Sequence, residues 1–338
     1  MRRWTSAAAV LGCLAFAAPA AAQQPPAPTP TPTPPPVPAP PPPAPAKATA
    51  TVTPLDTYRD GRRNVAISGR AWRVNGVVRP YVAGQTVNVR VYRDGHRIKQ
   101  QREQLAPTPD GSAGTFRTIV PRGRPGTYLV RVSHGRTAAL DAFRAPTLRV
   151  LVVSGDIPPG GRGAAVRLLQ HGLTRLHYAA THSGVLDAAT QRAVLTWRKV
   201  TGRPRTFAAT RGVLLGVLAG KGAWKVRHPN DGHHVEADLS LQVLALVNGS
   251  RVHRIYHLSS GKPSTPTVLG RFRVYRKDPG TNAEGMVHSS YFIRGYAIHG
   301  YASVPAYNAS HGCLRVPIPD SWAIYRWVRM GDVVWVEP

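Results

Sequence analysis

The chain has 338 residues, with 44 lysines and arginines against 16 aspartates and glutamates, which gives a formal net charge of +28. Only two cysteines are present, Cys13 and Cys313, so a fold held together by several internal disulfides is excluded. A charge of this size is typical of proteins that bind nucleic acid, anionic polymers or anionic membranes, and the N-terminal residues discriminate between these partners.

The first 22 residues have the pattern of a cleavable export signal. Arg2 and Arg3 supply the positive start, residues 7–18 are mostly apolar, and Ala20-Ala21-Ala22 form a small-residue cleavage site. The apolar run is too short to span a bilayer comfortably, so we expect release rather than anchoring. Export argues against a nucleic-acid partner and favours an anionic envelope polymer or a phospholipid surface, held by weak, salt-sensitive attraction.

Residues 23–47 are rich in proline and lack charge until Lys47, which predicts an extended polyproline-type linker. Within the leader, Val10-Leu11-Gly12-Cys13 resembles a lipoprotein cleavage box, and lipidation at Cys13 stays open as a minor alternative. If the leader is removed, Cys313 is the single remaining thiol and cannot close an internal disulfide.

Residues 48–153 predict a small β domain. Short runs alternate apolar and polar residues, and turn signals such as Asp94-Gly95 separate them about every ten residues, which favours a β-sandwich. Gly84-Gln85-Thr86-Val87 and the segment 126–131 resemble bacterial immunoglobulin-like surface modules. We interpret the domain as a spacer or a binding platform, because none of its residues suggests chemistry.

Residues 156–220 predict three short helices, and Asp187 has the residue type that caps the second of them. The apolar residues at helical spacing are Val166, Leu169, Leu173, Leu176, Val194, Trp197, Leu214, Val217 and Leu218. With the turn Gly184-Val185-Leu186-Asp187, this order resembles the three-helix peptidoglycan-binding module, which implies contact with wall glycan. The pattern departs from that module at Trp197-Arg198-Lys199, where an aromatic-Gln pair is usual. The alternative is a packing domain that binds nothing, and we expect its deletion to spare chemistry at Cys313.

Residues 224–338 return to strands, with a hairpin turn at Asn248-Gly249 and one helix that opens at Pro319-Asp320-Ser321. The motifs of this segment are Thr265-Pro266 with Gly270-Arg271-Phe272, then Ala297-Ile298-His299-Gly300, and then Ser310-His311-Gly312-Cys313-Leu314-Arg315. In this order they resemble the L,D-transpeptidase (YkuD-type) catalytic domain over about residues 230–337. The fold expected for the chain is therefore multidomain, with an immunoglobulin-like β-sandwich, a three-helix module and a mostly-β catalytic domain with one helix near its end.

The resemblance implies that Cys313 is the nucleophile and His299 its base. An imidazole within hydrogen-bond reach can take the thiol proton and give a thiolate–imidazolium pair. The Gly300 carbonyl is expected to orient the histidine, and the amides around Gly312 and Cys313 are expected to hold the oxyanion. His311, Arg315 and Ser310 are expected to bind substrate, and arginine suits the acidic stem peptide because it can donate two parallel hydrogen bonds to a carboxylate.

Two other interpretations of the cysteine compete with the catalytic one. A lone cysteine is often a small buried hydrophobe. A zinc site could use His288, His299, His311 and Cys313, but the sequence has no zinc-peptidase spacing, and we expect no metal and no cofactor. The histidines interpreted as strand and loop residues on a basic surface are His228, His233, His234, His253 and His257.

The function expected is a peptidoglycan L,D-transpeptidase that forms 3→3 cross-links through a thioacyl-enzyme at Cys313. Its partners would be peptidoglycan stem peptides and glycan, anionic envelope polymers, and carbapenem-type β-lactams as inhibitors, in the cell wall or periplasmic space. Water as acceptor would make it an L,D-carboxypeptidase, and a protein amine would make it a protein-to-wall attachment enzyme. A non-catalytic wall-binding protein is the alternative from another class.

Overall fold

The computed structural model describes residues 43–338, so the predicted export signal, Cys13 and most of the predicted linker lie outside the described residues. The end of that linker already belongs to the β domain, because the Ala46 amide donates to Ala139 O at 3.0 Å and Ala46 O accepts from the Asp141 amide. None of the helices between residues 43 and 338 combines the length and apolar character needed to cross a bilayer.

Two sheets form the N-terminal β domain. A four-stranded sheet has the order β1-β4-β8-β7, and a seven-stranded sheet has the order β2-β3-β11-β9-β5-β6 with β10 on β9. The strands are β1 (Thr49–Leu55), β2 (Tyr58–Asp60), β3 (Arg63–Ile67), β4 (Trp72–Arg79), β5 (Thr86–Arg93), β6 (His96–Gln104), β7 (Ala106–Pro107), β8 (Gly114–Val120), β9 (Gly126–His134), β10 (Phe143–Arg144) and β11 (Leu148–Val153).

Alternating apolar residues bring these two sheets together on one core. Val87, Val89 and Val91 of β5 all point inward, as period-two alternation requires. Trp72 of the smaller sheet meets Tyr128 of the larger one edge-on, with ring centroids 6.3 Å apart. The structure is thus two sheets packed face to face, and the immunoglobulin-like resemblance stays a prediction.

Three helices follow, α1 (Ala164–Arg175), α2 (Ala188–Val200) and α3 (Arg211–Leu218). The predicted cap is confirmed, because the Asp187 side chain accepts a 2.8 Å hydrogen bond from the Thr190 amide. We call residues 156–220 the helical module. Its glycan-binding role stays a prediction.

The helical module does not have a core of its own. Its apolar residues share one buried cluster with Val243, Ala245, Val247 and Ile255, which belong to the catalytic segment, and also with Val65 and Ile67 of β3. The expectation that this module can be deleted without consequence for Cys313 does not fit this packing, because deletion would expose one face of the catalytic sheet to water.

The departure at Trp197-Arg198-Lys199 has a structural cause. Trp197 is fully buried and its indole donates to Lys221 O at 2.8 Å, while the Arg198 guanidinium donates to Ala208 O. Lys199 is only 2% exposed. These three side chains therefore pack inside the protein and are not available to touch glycan.

The C-terminal segment contains two further sheets and one helix. A five-stranded sheet has the order β14-β13-β12-β20-β15, and a four-stranded sheet has the order β16-β17-β18-β19. The elements are β12 (His233–Asp238), β13 (Val243–Asn248), β14 (Arg251–His257), β15 (Gly270–Arg273), β16 (Arg276–Thr281), β17 (Val287–Ile293), β18 (Tyr296–Tyr301), β19 (Leu314–Pro317), α4 (Ile318–Trp327) and β20 (Val333–Glu337).

A buried apolar cluster joins the two sheets and α4, with members such as Leu244, Ile298, Leu314 and Ile324. The hairpin at Asn248-Gly249, the helix near Pro319 and the closing strand are confirmed.

Two histidines assigned to a basic surface are in fact buried, so that prediction is wrong for them. His234 has no exposed surface, and its Nε2 lies 3.3 Å from a carboxylate oxygen of buried Glu236. His257 is 2% exposed and contacts Lys199. Each ring is buried with polar partners, as buried polar groups require.

Candidate active site

Cys313 lies in a tight turn directly before β19. The hydroxyl of Ser310 donates to Cys313 O at 2.6 Å and accepts the Gly312 amide at 3.1 Å. The Ser310 carbonyl in turn accepts from the Thr265 hydroxyl at 3.1 Å, which ties the Thr265-Pro266 motif to this turn. The turn is therefore held by side chains on both sides before any substrate is present.

Gly312 is required by the backbone of this turn. Its φ is +117°, in the left-handed region that favours glycine, and a β-carbon there would come 1.9 Å from Cε1 of Tyr296. Its amide is already bonded to the Ser310 hydroxyl. Of the two amides expected to hold an oxyanion, the one that lacks an acceptor among residues 43–338 is that of Cys313.

His299 lies in β18 and is 2% exposed. Its Nδ1 is 2.9 Å from Gly300 O, and because a carbonyl can only accept, Nδ1 carries the proton and Nε2 has a free lone pair. Gly300 is also needed for packing, since a β-carbon there would lie 2.7 Å from Ser321 of α4. The sequence predicted the carbonyl contact through the family resemblance, whereas the packing requirement emerges only from the fold.

The strand register places His299 and Cys313 on one face of the four-stranded sheet. β18 and β19 run parallel, with Ile298 opposite Leu314 and His299 opposite Arg315. Ile298 and Leu314 point into the core, so by alternation His299, Cys313 and Arg315 point to the other face. Cys313 stands two positions before the residue opposite His299, which corresponds to a diagonal of about 8 Å between backbones, and the hydrogen bond of its Sγ goes to Gly295 O.

Burial sets the protonation states of this pair. The pKa of His299 is lowered to about 4, mainly by burial and in smaller part by the positive charge of Arg315, while the bond to Gly300 O acts in the opposite direction. Burial raises the pKa of the Cys313 thiol, against the opposing effects of the Ala297 amide and Arg315. The resting pair at neutral pH is therefore a neutral imidazole and a neutral thiol rather than the expected ion pair, and the thiol donates a weak hydrogen bond of 3.7 Å to Gly295 O.

The three residues expected to bind substrate have different positions. Arg315 is half-buried, with its guanidinium carbon 4.0 Å from the centroid of the Tyr301 ring, and none of the described carboxylates pairs with it. His311 is exposed, with Nε2 3.4 Å from Lys262 Nζ. Ser310 has no exposed surface, so the expectation that it touches substrate does not fit its position.

Two aromatic residues of this site were missed by the sequence analysis. Tyr301 packs edge-on against His299, with centroids 5.7 Å apart, and also supports Arg315. Tyr296 fills the space beside Gly312. The alternation of β18 could have indicated Tyr301, because it is two residues after His299 and so lies on the same face. The contact of Tyr296 with Gly312 in the cysteine turn has no such signal.

The candidate zinc ligands do not meet. His288 Nδ1 contacts the Ser321 hydroxyl at 2.9 Å, His299 is bonded to Gly300, and His311 is beside Lys262. Between residues 43 and 338, no group of three His, Cys, Asp or Glu side chains is placed to hold a metal ion.

Comparison with known proteins identifies the C-terminal segment. The L,D-transpeptidase catalytic domain family, YkuD, matches residues 232–336. No curated protein matches the chain. An L,D-transpeptidase from Xylanimonas cellulosilytica (residues 123–326) is 31% identical, with a TM-score of 0.49, and the match covers 54% of this chain and 98% of that one.

Two further solved structures are similar. An L,D-transpeptidase from Stackebrandtia nassauensis is 20% identical, covering 54% of this chain and 96% of that one with a TM-score of 0.35. The catalytic domain of an E. faecium L,D-transpeptidase acylated by ertapenem is 27% identical. The match covers 31% of this chain and 96% of that one, with a TM-score of 0.27. The YkuD family matches the catalytic segment, and the 31% identity extends over nearly all of the Xylanimonas protein. On this basis the chain belongs to the L,D-transpeptidase family, and residues 232–336 are its catalytic domain.

Proposed function

We propose that this protein is a peptidoglycan L,D-transpeptidase that forms 3→3 cross-links through a thioacyl-enzyme at Cys313, with His299 as the base. The observation that carries the proposal is the common face of His299 and Cys313, combined with an imidazole whose Nε2 lone pair is free. A buried cysteine with an inert role would not need a histidine oriented in this way.

In the first half-reaction, Cys313 Sγ attacks the carbonyl carbon that is bonded to the terminal D-Ala of a tetrapeptide stem. His299 Nε2 takes the thiol proton as the S–C bond forms, so neither group has to be charged at rest. The Cys313 amide donates to the oxyanion. Collapse of the tetrahedral intermediate breaks the C–N bond, and the imidazolium gives its proton to the departing D-Ala amine.

In the second half-reaction, the side-chain amine of a neighbouring stem attacks the thioester. His299, again neutral, removes one proton from that amine, and the Cys313 sulfur leaves as the thiol after taking the proton back. Arg315 is suited to hold a stem carboxylate, because its fork has no carboxylate partner among the described residues and is oriented by the Tyr301 ring. His311, exposed at the rim, would line the substrate path.

The acceptor distinguishes this function from its alternatives. Water in place of the amine would give an L,D-carboxypeptidase, and a protein amine would give an attachment enzyme. The test is incubation of purified protein with disaccharide-tetrapeptide fragments, followed by mass spectrometry. Dimers linked 3→3 support the proposal, tripeptides with free D-Ala support the carboxypeptidase, and unchanged tetrapeptides support a non-catalytic wall-binding protein.

We also propose that carbapenems acylate Cys313, that the protein is exported to the cell wall or periplasmic space, and that stem peptides and glycan are its partners. The solved E. faecium catalytic domain carries ertapenem as an acyl group. Ertapenem is therefore a convenient probe of the first half-reaction, read as an increase in intact mass.

A further inference from the structure

A buried lysine of the helical module reaches into the catalytic domain. Lys199 lies near the end of α2, and its Nζ is 2.9 Å from Gln242 O, 3.2 Å from Leu258 O and 2.6 Å from His257 Nδ1. All three acceptors belong to the catalytic domain. Burial lowers the pKa of Lys199 to about 6, which disfavours the charged form, whereas three acceptors around Nζ are satisfied in full only by the three N–H groups of the ammonium form.

His257 connects Lys199 by hydrogen bonds to the segment that precedes the cysteine turn. Its Nε2 is 2.9 Å from Val304 O, and because a carbonyl only accepts, Nε2 carries the ring proton and Nδ1 accepts from Lys199. Burial and the Lys199 charge lower the pKa of His257 to about 3, which keeps this ring neutral with one donor and one acceptor. A continuous chain of hydrogen bonds thus runs from Lys199 through His257 to Val304.

A second side chain of the helical module also forms hydrogen bonds to the catalytic domain. Arg205 donates from Nη1 to Ala306 O at 3.0 Å and from Nη2 to Ser240 O at 2.5 Å. The catalytic domain adds one link of its own, from the Ser259 hydroxyl to Tyr307 O at 2.6 Å. Three carbonyls of one short segment are therefore held by side chains, two of them through the helical module.

We call residues 302–309 the approach segment. It begins directly after β18 ends at Tyr301, three residues after His299, and it runs directly into Ser310 and the cysteine turn. A shift of this segment would change the position of Sγ relative to Nε2, and losses near two orders of magnitude follow from misplacements of about 1 Å.

We propose that Lys199 and Arg205 are positioning residues for the reaction, and that the helical module holds the approach segment so that Cys313 meets His299. This inference rests on the proposed function, because it assigns a role in the chemistry of the same thiol. The helical module is then a working part of the catalytic unit, whether or not it also binds glycan.

The test uses the full chain and three variants of equal design. Arg205→Ala removes both links of an exposed side chain, Arg205→Lys restores one donor, and Lys221→Ala removes a charge next to the same module at an exposed position without a described side-chain partner. We expect Arg205→Ala to slow acylation by ertapenem about tenfold, Arg205→Lys to recover part of the rate, and Lys221→Ala to match the wild type. The melting temperature and the alkylation of Cys313 by iodoacetamide, which needs no bound substrate geometry, should not change in any of the three.

Lys199→Met tests the buried link, because methionine keeps the length and removes the donors. Slower acylation by ertapenem, measured under conditions in which the Lys199→Met protein remains fully folded, supports the proposal. Unchanged acylation in a folded Lys199→Met protein and in Arg205→Ala would overturn it. If the wild type itself is not acylated by ertapenem, the proposed function fails first, and the two failures are thereby distinguished.

A second inference concerns the seven-stranded sheet of the β domain. Val89, Val130 and Val150 point into the core, so Arg90, Arg131 and Arg149 of the same strands point to the opposite face. Arg90 is opposite Arg131 in the register, and Arg102 lies on the neighbouring strand with the same orientation.

Arg63 completes this group beside Arg149, and the two line a cavity of about 340 Å³ with Asn64, Thr127 and Leu151. We call Arg63, Arg90, Arg102, Arg131 and Arg149 the arginine face. None of the five pairs with a carboxylate within residues 43–338. Asp60, which is opposite Arg63, is already bound at 2.7 Å by Arg167 of α1.

We infer that the arginine face binds a linear phosphate-bearing polymer. Guanidinium forks match phosphate oxygens, and neighbouring strands space them about 5 Å apart across the sheet, so one chain can meet several of them. A lipid surface would also need projecting apolar anchors, whereas Tyr92 and Leu129 on this face are half-buried.

Binding to linear polyphosphate at several salt concentrations tests this inference. Replacing Arg90, Arg131 and Arg149 together by Ser should weaken binding and reduce the slope of log affinity against log salt by about 2, at roughly 0.7 per lost phosphate contact. The matched control replaces Arg117, Arg122 and Arg124, which are exposed elsewhere on the domain, and should change the slope little. An equal loss of polyphosphate binding in both triple variants would show that binding depends on net charge alone. If the Arg90, Arg131 and Arg149 variant keeps polyphosphate binding but loses binding to anionic phospholipid vesicles, the arginine face binds a membrane. Either result overturns the inference.

Discussion

The hydroxyl of Ser310 donates a 2.6 Å hydrogen bond to Cys313 O, three residues along the chain, and accepts the Gly312 amide at 3.1 Å. One buried side chain therefore closes the turn that presents the nucleophile. It satisfies a carbonyl and an amide that would otherwise lack partners inside the protein.

Ser310→Ala should lower the free energy of unfolding by about 1–3 kcal/mol, because it leaves two buried backbone groups without a partner. It should also slow acylation of Cys313, since the turn gains freedom. Urea unfolding and intact-mass kinetics with ertapenem measure the two effects. Ser303→Ala, at an exposed position in the approach segment, is the matched control and should change neither. A Ser310→Ala protein as stable and as fast as the wild type would show that the hydroxyl does not hold the turn.

Cys313→Ala should abolish both cross-linking and the mass increase with ertapenem while the fold persists. The sulfur makes only weak hydrogen bonds, at 3.7 Å to Gly295 O and with the Ala297 amide, so its removal should cost less than about 1 kcal/mol of stability. Far-ultraviolet circular dichroism and the melting temperature check the fold. Cross-linking that survives in this variant would end the thiol mechanism.

His299 predicts an unusual pH dependence for acylation. The base must be neutral, and burial lowers the pKa of His299 to about 4, so the rate should rise through pH 4 and stay level through pH 6.5, where an ordinary histidine titrates. Alkylation of the thiol should titrate above the ordinary thiol range, because burial raises the pKa of Cys313. An acid limb near pH 6.5 in the profile of kcat/KM would show that the base is not this buried imidazole.

The two histidines nearest the thiol in sequence should behave differently on substitution. His299→Ala should slow acylation by about 10²–10⁴-fold, the usual effect of losing a positioned general base. His311→Ala should have a smaller effect, because that ring is exposed and its described partner is Lys262 at 3.4 Å. Single-turnover acylation of both variants by ertapenem compares them directly. A larger loss for His311→Ala would mean that the roles are reversed.

Much of the secondary structure of the helical module and the catalytic segment could be predicted because its signals are local. Strand alternation, the Asn248-Gly249 hairpin and the Asp187 cap each depend on residues within a few positions of one another, and each is found in the structure. The site residues could be predicted because their motifs follow the order of a known family. The register of β18 with β19 then brings His299 and Cys313 to one face.

The contacts between segments could not be predicted in this way. Lys199 looked like a departure from a glycan-binding pattern, yet it is buried against His257, 58 positions away. Tyr296 beside Gly312 and the core shared by the helical module with β13 and β14 likewise join positions far apart in the chain. Periodicity shows that a residue is buried on one face, but not which other segment covers it.

Gly312 gives the last prediction. Gly312→Ala should destabilise the protein by about 1–3 kcal/mol through its positive φ alone, and the β-carbon would also collide with Tyr296 at 1.9 Å. A double variant with Tyr296→Ala should recover the part of the loss that comes from the collision but not the part that comes from the backbone. Gly295→Ala is the control, because a β-carbon at that position would have nothing within 4 Å and its φ lies outside the left-handed region. Urea unfolding of the wild type and the three variants separates the contribution of the collision from that of the backbone. If Gly312→Ala and Gly295→Ala cost the same, the turn does not depend on the conformation that glycine allows.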